Sequence, residues 1–215
     1  MKTFAVIGMG RFGQAMAKRL YSLGNEVLAI DESEAAIRMV ADHVTYAVAG
    51  DAKNIEVLRN LGVGDYDAAV VAVGSDLSSS ILITMNLKEL GLKNVICKAA
   101  NDRYEAALLK VGADRVIIPE RTMGMKLAET LSSGNVMDFI TLSDDYSIVE
   151  LEAPKAWVGK SINSLAVRNR YGIALLAVRR EMKMKISPGA DFVFQSGDVV
   201  LALGENDVFE KLKAL

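Results

Sequence analysis

One cysteine, one histidine and three prolines stand among 215 residues, and each scarcity excludes something. A lone Cys97 rules out an intrachain disulfide and fits a reducing compartment. A lone His43 leaves no His/Cys cluster, no paired-histidine metal motif and no Ser/His/Asp set. Few prolines beside 17 glycines and 51% apolar residues argue against disorder. No apolar run nears the roughly 18 residues that cross a bilayer. The greasiest, "DAAVVAVG" at 67–74, is far shorter. The opening "MKTFAVIG" runs straight into a strand with no cleavable signal, so a cytoplasmic location is expected. The net charge of −2 gives no bulk attraction for nucleic acid or an anionic membrane. The surplus of apolar residues points to oligomer interfaces.

What is present is alternation. "KTFAVIG", "EVLAID", "VTYAVAGD", "DAAVVAV", "NVICKA" and "DRVIIP" read as six strands. Helical patterns follow each, the last being "RTMGMKLAETLSSG". Strict alternation with right-handed crossovers predicts a doubly wound parallel sheet of Rossmann type, in the order 3-2-1-4-5-6. The helix at 77–90 carries more apolar residues than one sheet-facing stripe needs. It is either a well-buried helix or one that also packs on another subunit. The pattern changes at Gly134. "YSIVELEAP" and "GDVVLALG" read as strands, "SINSLAVRNRYG" and "ENDVFEKLKAL" as helices, and "IALLAVRRE" with "KMKIS" as a hairpin. The expectation is a nucleotide-binding domain over 1–134 and a small α+β domain over 135–215.

Chemistry concentrates in "VIGMGRFGQ". Gly8, Gly10 and Gly13 make G-x-G-x-x-G between a strand and a helix. Asp31 ends the next strand about 20 residues on, where a carboxylate accepts from a ribose hydroxyl. Gly8 permits the tight turn, Gly10 lets the backbone approach phosphate, and Gly13 lets helix pack on strand. The helix N-terminus adds amide donors and partial positive charge. An adenine nucleotide is the expected ligand. Arg11 sits in the first helical turn, where the dipole disfavours a cation. It is either an exposed arginine that tolerates the penalty, or the partner of an anion denser than a diphosphate bridge. A terminal ATP phosphate suits a guanidinium fork. This tilts the ligand from NAD(H) towards ATP or ADP, without closing the question.

Further candidates lie at the same strand ends. Asp51 and Ala52, in "AGDA", fall where the adenine edge belongs, although an aspartate there also serves as a turn or cap. Gly74 and Ser75 follow the fourth strand and Lys98 ends the fifth. A dehydrogenase needs an acid/base group and a substrate domain. His43 lies on the wrong side, Cys97 packs within a strand, and the second unit is small. A sensor is therefore expected rather than an enzyme. An NAD(H)-binding redox sensor or small oxidoreductase stands as the alternative.

"VIGMGRFG", the acid of "LAID", "AGDA", "GADRVIIPE" and "GDVVLALGE" together resemble the regulator-of-potassium-conductance (RCK) family, over essentially the whole chain. The resemblance is to cytosolic regulatory subunits of bacterial potassium uptake systems. It implies dimers assembling into an octameric ring under a membrane potassium-translocating subunit, hence a cytoplasmic, membrane-peripheral location. It implies ATP/ADP gating, with Phe12 beside Arg11 in the nucleotide turn and Arg11 reading the terminal phosphate. Lys98 departs from the arginine more usual at that position. Glu120 matches a glutamate that meets a divalent cation at the dimer interface, though an acid there also favours a helix start. Residues 121–133 match a crossover helix. "RNRYGI" and "ISPG" are similar to segments lining a cyclic di-AMP pocket, which carries over to Arg168, Asn169, Ile173 and Pro188. The competing reading of that basic stretch is a solvated hairpin.

Overall fold

The computed structural model describes residues 1–74, 76–132, 136–143 and 145–212. The chain divides into two compact units, Met1–Thr122 and Met123–Leu215. The division falls inside a helix, twelve residues before the expected boundary at 134. Residues 121–128 of that helix are all exposed.

The first unit runs β1 (Thr3–Ile7), α1 (Arg11–Ser22), β2 (Glu26–Asp31), α2 (Glu34–Arg38), β3 (Tyr46–Ala49), α3 (Ile55–Asn60), β4 (Ala68–Val71), α4 (Leu77–Glu89), β5 (Val95–Lys98), α5 (Asp102–Lys110) and β6 (Arg115–Ile117), with α6 (Pro119–Ser132) starting at its end. The strands form one parallel sheet in the order β3-β2-β1-β4-β5-β6, as the alternation predicted. Both faces are covered. Ala5, Ile7, Leu28 and Ile30 join a core with Leu58, Ile83 and Leu87, while Val6, Val27 and Ala29 pack with Ala17, Ile37 and Val40 on the other side. Each fully buried Val, Leu or Ile contributes about 1.5–3 kcal/mol. The strand order reverses between β1 and β4, which opens a crevice at the carboxyl ends of those strands.

The second unit holds β7 (Val136–Thr141), β8 (Tyr146–Glu152), α7 (Ile162–Leu165), α8 (Val167–Tyr171), β9 (Ala174–Arg180), β10 (Lys183–Ile186), β11 (Val199–Glu205) and α9 (Asn206–Leu212). The five strands form an antiparallel sheet, β10-β9-β11-β8-β7. Trp157, Leu165, Val167, Phe194 and Phe209 pack with Val149, Leu151, Val178 and Val200 into its core. The expected β9–β10 hairpin forms. Two features differ from expectation. β7 is an additional edge strand; Asp138 interrupts its apolar run, and its register shifts between Val136 and Asp138. The single helix expected over 161–172 breaks into α7 and α8 because Ala166 adopts a left-handed conformation, φ 48°.

Asp198 is fully buried yet charged. Arg180 grips it through Nε and Nη2, each 2.7 Å from a carboxylate oxygen, and the Gln195 amide donates at 2.8 Å. Burial pushes the carboxyl up, but the Arg180 and Gln195 hydrogen bonds outweigh it and hold it below the ordinary aspartate value. A depressed folded-state pKa contributes stability above the unfolded value of about 4, which is lost as pH falls through the folded one. Arg180→Ala leaves Asp198 buried and unpaired. It is expected to destabilise the second unit by about 2 kcal/mol at pH 7. That deficit should shrink in urea titrations repeated below about pH 3.5.

Candidate functional site

Four helices of the first unit have first turns satisfied by a side-chain cap. Ser33, Asn54, Asp76 and Asn101 each turn a side-chain oxygen back onto a first-turn amide of α2, α3, α4 and α5. α1 differs. Its N-cap is Gly10, which has no side chain to offer, and its first turn holds no acid. The orphan amides of a 12-residue helix thus face the crevice beside the β1–β4 reversal, an arrangement suited to an anion.

The glycines divide the labour as their spacing suggested. Gly8 has φ +97°, which L side chains rarely adopt, and its amide donates to the Ile30 carbonyl at 2.8 Å. A Cβ on Gly13 would lie 1.9 Å from the Gly8 carbonyl oxygen. A Cβ on Gly10 would meet nothing within 4 Å, so its face is open to a ligand.

Asp31 reaches into this loop. One carboxylate oxygen accepts from the Met9 amide at 2.6 Å and the other from the Ser33 amide at 2.8 Å. The carboxylate therefore holds the glycine turn in place, and its remaining lone pairs face the cleft.

Two adjoining hollows flank Gly10. One, of about 350 Å³, is lined by Ile7, Gly8, Asp31, Ala52, Val73 and Ile83, among others. The other, of about 520 Å³, is lined by Gly10, Arg11, Phe12, Ala72, Gly74, Lys98 and Glu120. The first has an apolar floor and a carboxylate wall, suited to a nucleoside. The second is edged by two cations. The Lys98 ammonium lies 5.9 Å from the centre of the Phe12 ring and 2.8 Å from a Glu120 carboxylate oxygen. That Lys98 hydrogen bond, with a smaller contribution from the Arg11 charge, holds the Glu120 carboxyl below its ordinary value. Glu120 is exposed, and among the described residues no three His, Cys, Asp or Glu side chains converge as a metal set.

Most nucleotide candidates named from the sequence come together here. Asp51 does not line the cleft; its carboxylate turns to the Lys53 amide at 2.8 Å, the turn role open to it from the start. Ser75 lies outside the described residues. Sequence reasoning missed Glu32, Lys53, Asp76 and Ser79, all on the cleft wall. Asp76 was legible as a cap, since Ser79 stands three residues on and donates to it from its amide and hydroxyl. Glu32 and Lys53 carried no local signal. Cys97 is fully buried, and burial pushes its thiol up, so it packs as an apolar group.

In the second unit Arg168 and Asn169 are exposed on α8, and Ile173 leads into β9. The Ser187 amide donates to the Leu176 carbonyl at 2.8 Å, which returns Pro188 towards the same end of the hairpin. Ile173 is 1% exposed and packs against Gly204, so it belongs to the core and does not reach the surface that Arg168 and Asn169 share. The basic stretch is partly consumed: Arg179 pairs with Glu150, and Arg180 with Asp198.

The TrkA-N domain family matches residues 4–119, and the TrkA-C domain family residues 146–215. Ktr system potassium uptake protein A of Bacillus subtilis is 41% identical over 203 residues, covering 94% of this chain and 91% of its own. Its namesake from Vibrio alginolyticus is 36% identical over 100% of this chain and 98% of its own. Among solved structures, the GsuK RCK domain matches with a TM-score of 0.68 over 100% of this chain and 47% of that chain, at 15% identity, a likeness of fold. A TrkA-N unit with an uncapped glycine turn, a TrkA-C unit behind it, and this identity over nearly the whole length make the chain a member of the KtrA/RCK family.

Proposed function

We propose that this chain is a non-catalytic regulatory subunit of a potassium uptake system, reading ATP against ADP in its first unit and gating a membrane potassium-translocating subunit. The observation that carries this reading is the open N-terminus of α1 with Arg11 in its first turn and Lys98 across the same hollow. A cation in that turn is unfavourable unless an anion joins it. A diphosphate anchored at Gly10 fills the amide cradle, and a third phosphate reaches the hollow where Arg11 and Lys98 stand. One charge-assisted contact of about 1.4 kcal/mol suffices for a tenfold preference. Coupled across several sites, that preference becomes a switch.

Self-association fits the unpartnered apolar groups. α4 buries Ile83 and Leu87 but leaves Leu82 and Met85 about half exposed, and Leu109 on α5 is similarly open. Dimers built on such faces and closed into an octameric ring are the assembly we favour. Glu120 supplies one carboxylate per chain, so a divalent cation there would need the second copy of a dimer and would displace Lys98. Arg168, Asn169 and Pro188 form the candidate subsite for cyclic di-AMP, with Ile173 packed in the core beneath them. Among the described residues no helix is long and apolar enough to cross a membrane. A peripheral position on the cytoplasmic face, through the potassium-translocating subunit, follows from the proposed role; no nucleic-acid partner is proposed for a chain of net charge −2. Asp31 at the end of β2 also suits the adenosine ribose of NAD(H), which makes NADH the necessary competitor in any test.

Titration calorimetry with ATP, ADP, NADH and cyclic di-AMP at one salt concentration tests these assignments. ATP and ADP are expected to bind tightly and NADH weakly; the reverse order would overturn the ATP/ADP reading. Arg11→Ala is expected to keep ADP affinity and lose about tenfold in ATP affinity. Equal losses for both ligands would remove the role given to Arg11. Gly10→Ala is expected to fold with stability within about 0.5 kcal/mol of the parent and to lose nucleotide. Gly13→Ala, forced against the Gly8 carbonyl, should instead lose more than about 2 kcal/mol in denaturant unfolding.

A further inference from the structure

The nucleoside hollow has a rim contact that the sequence did not reveal. Glu32 follows Asp31 at the end of β2, and Lys53 stands in the loop after β3, on the neighbouring strand. Both side chains line the hollow. The Lys53 ammonium pairs with the Glu32 carboxylate and lies 3.4 Å from Asp51. Lys53 is held from behind as well: Asn86 on α4 donates its side-chain amide to the Lys53 carbonyl at 2.8 Å and to that of Ala52 at 3.4 Å. The bridge therefore joins a loop fixed at Asp31 to a loop fixed at Asn86. The sheet order sets the loops after β2 and β3 to one side of the Gly10 turn that follows β1, so the bridge stands beyond Asp31 from the place the phosphates would take.

The pair is partly exposed, with 33% of the Lys53 side chain and 60% of the Glu32 side chain open. Exposed pairs of this kind contribute little to folding stability. Its position gives it another use. A ligand whose phosphates sit on the α1 amides and whose ribose meets Asp31 extends its base towards this bridge. Opening the bridge costs a charge pair; closing it confines the base.

On the nucleotide reading above, we infer that Glu32 and Lys53 form a strap across the base end of the hollow, and that Lys53 is a positioning residue that slows nucleotide release. The ammonium is the moving part and Glu32 its catch, while Asp51 shares the charge and keeps Lys53 near the rim when the catch opens. Salt weakens partly exposed pairs, so release should quicken as ionic strength rises.

The experiment is a chase: the whole protein is loaded with radiolabelled ADP, excess unlabelled ADP is added, and retained label is followed. Lys53→Met and Glu32→Gln are each expected to release label about tenfold faster, a loss of about 1.4 kcal/mol in the closed state, with thermal midpoints unchanged. Lys53→Arg should retain slow release. Raising salt should speed release from the parent by a larger factor than from Lys53→Met. Parent-like release from both single variants would overturn the strap and leave the nucleotide site standing. Failure of the parent to retain any labelled ADP, with no heat on ADP titration, would overturn the nucleotide reading itself and the strap with it.

Discussion

In the first unit the backbone of the Gly8 turn lies directly against the backbone of α1 at Gly13. A methyl group at Gly13 would stand 1.9 Å from the Gly8 carbonyl oxygen, so the helix lies directly on the strand that feeds it. That contact aims the uncapped end of α1 at the crevice, and Asp31 locks the turn by accepting the Met9 amide. Everything proposed for the site depends on this packing: the open amides, the placement of Arg11, and the two hollows on either side of Gly10.

The surrounding helices make the same point by contrast. Each spends a Ser, Asn or Asp on its own first turn, and each is thereby closed to an external anion. α1 forgoes that stabilisation, and a basic residue in its first turn adds to the cost. A helix end left unsatisfied in this way is coherent when a phosphate completes it. Glu120 behaves comparably on a smaller scale. Its charge is compensated by Lys98 within the chain.

The second unit is organised around a buried charge. Asp198, just before β11, is satisfied by Arg180 from β9 and by the Gln195 amide, so one ion pair ties β9 to the loop that leads into β11. This accounts for part of a basic stretch that read from the sequence as an effector surface. Arg179 and Arg180 serve the sheet, whereas Arg168 and Asn169 stay on the surface of α8. Ile173 shows the same limit. Its neighbours in sequence suggested a pocket wall, but the side chain fills the core against Gly204.

Chain order, period and turn chemistry were local, and so they were legible. The alternating strands and helices, the strand order, the three glycines and Asp31 all follow from patterns within about 30 residues. The break between α7 and α8 was not legible, because alanine does not by itself favour the φ of 48° that Ala166 takes between the buried Leu165 and Val167. The edge strand β7 likewise owes its existence to its pairing with β8. The pairing of Glu32 with Lys53 joins residues 21 apart, and that of Lys98 with Glu120 residues 22 apart. Charge alone cannot choose such partners among 25 cations and 27 anions. The sequence by itself determined that a nucleotide fold forms and where its phosphate turn lies, since backbone sterics and helix capping act over a few residues. Only the tertiary structure decided which charges meet at the rim of the cleft, since that depends on which loops the parallel sheet sets side by side.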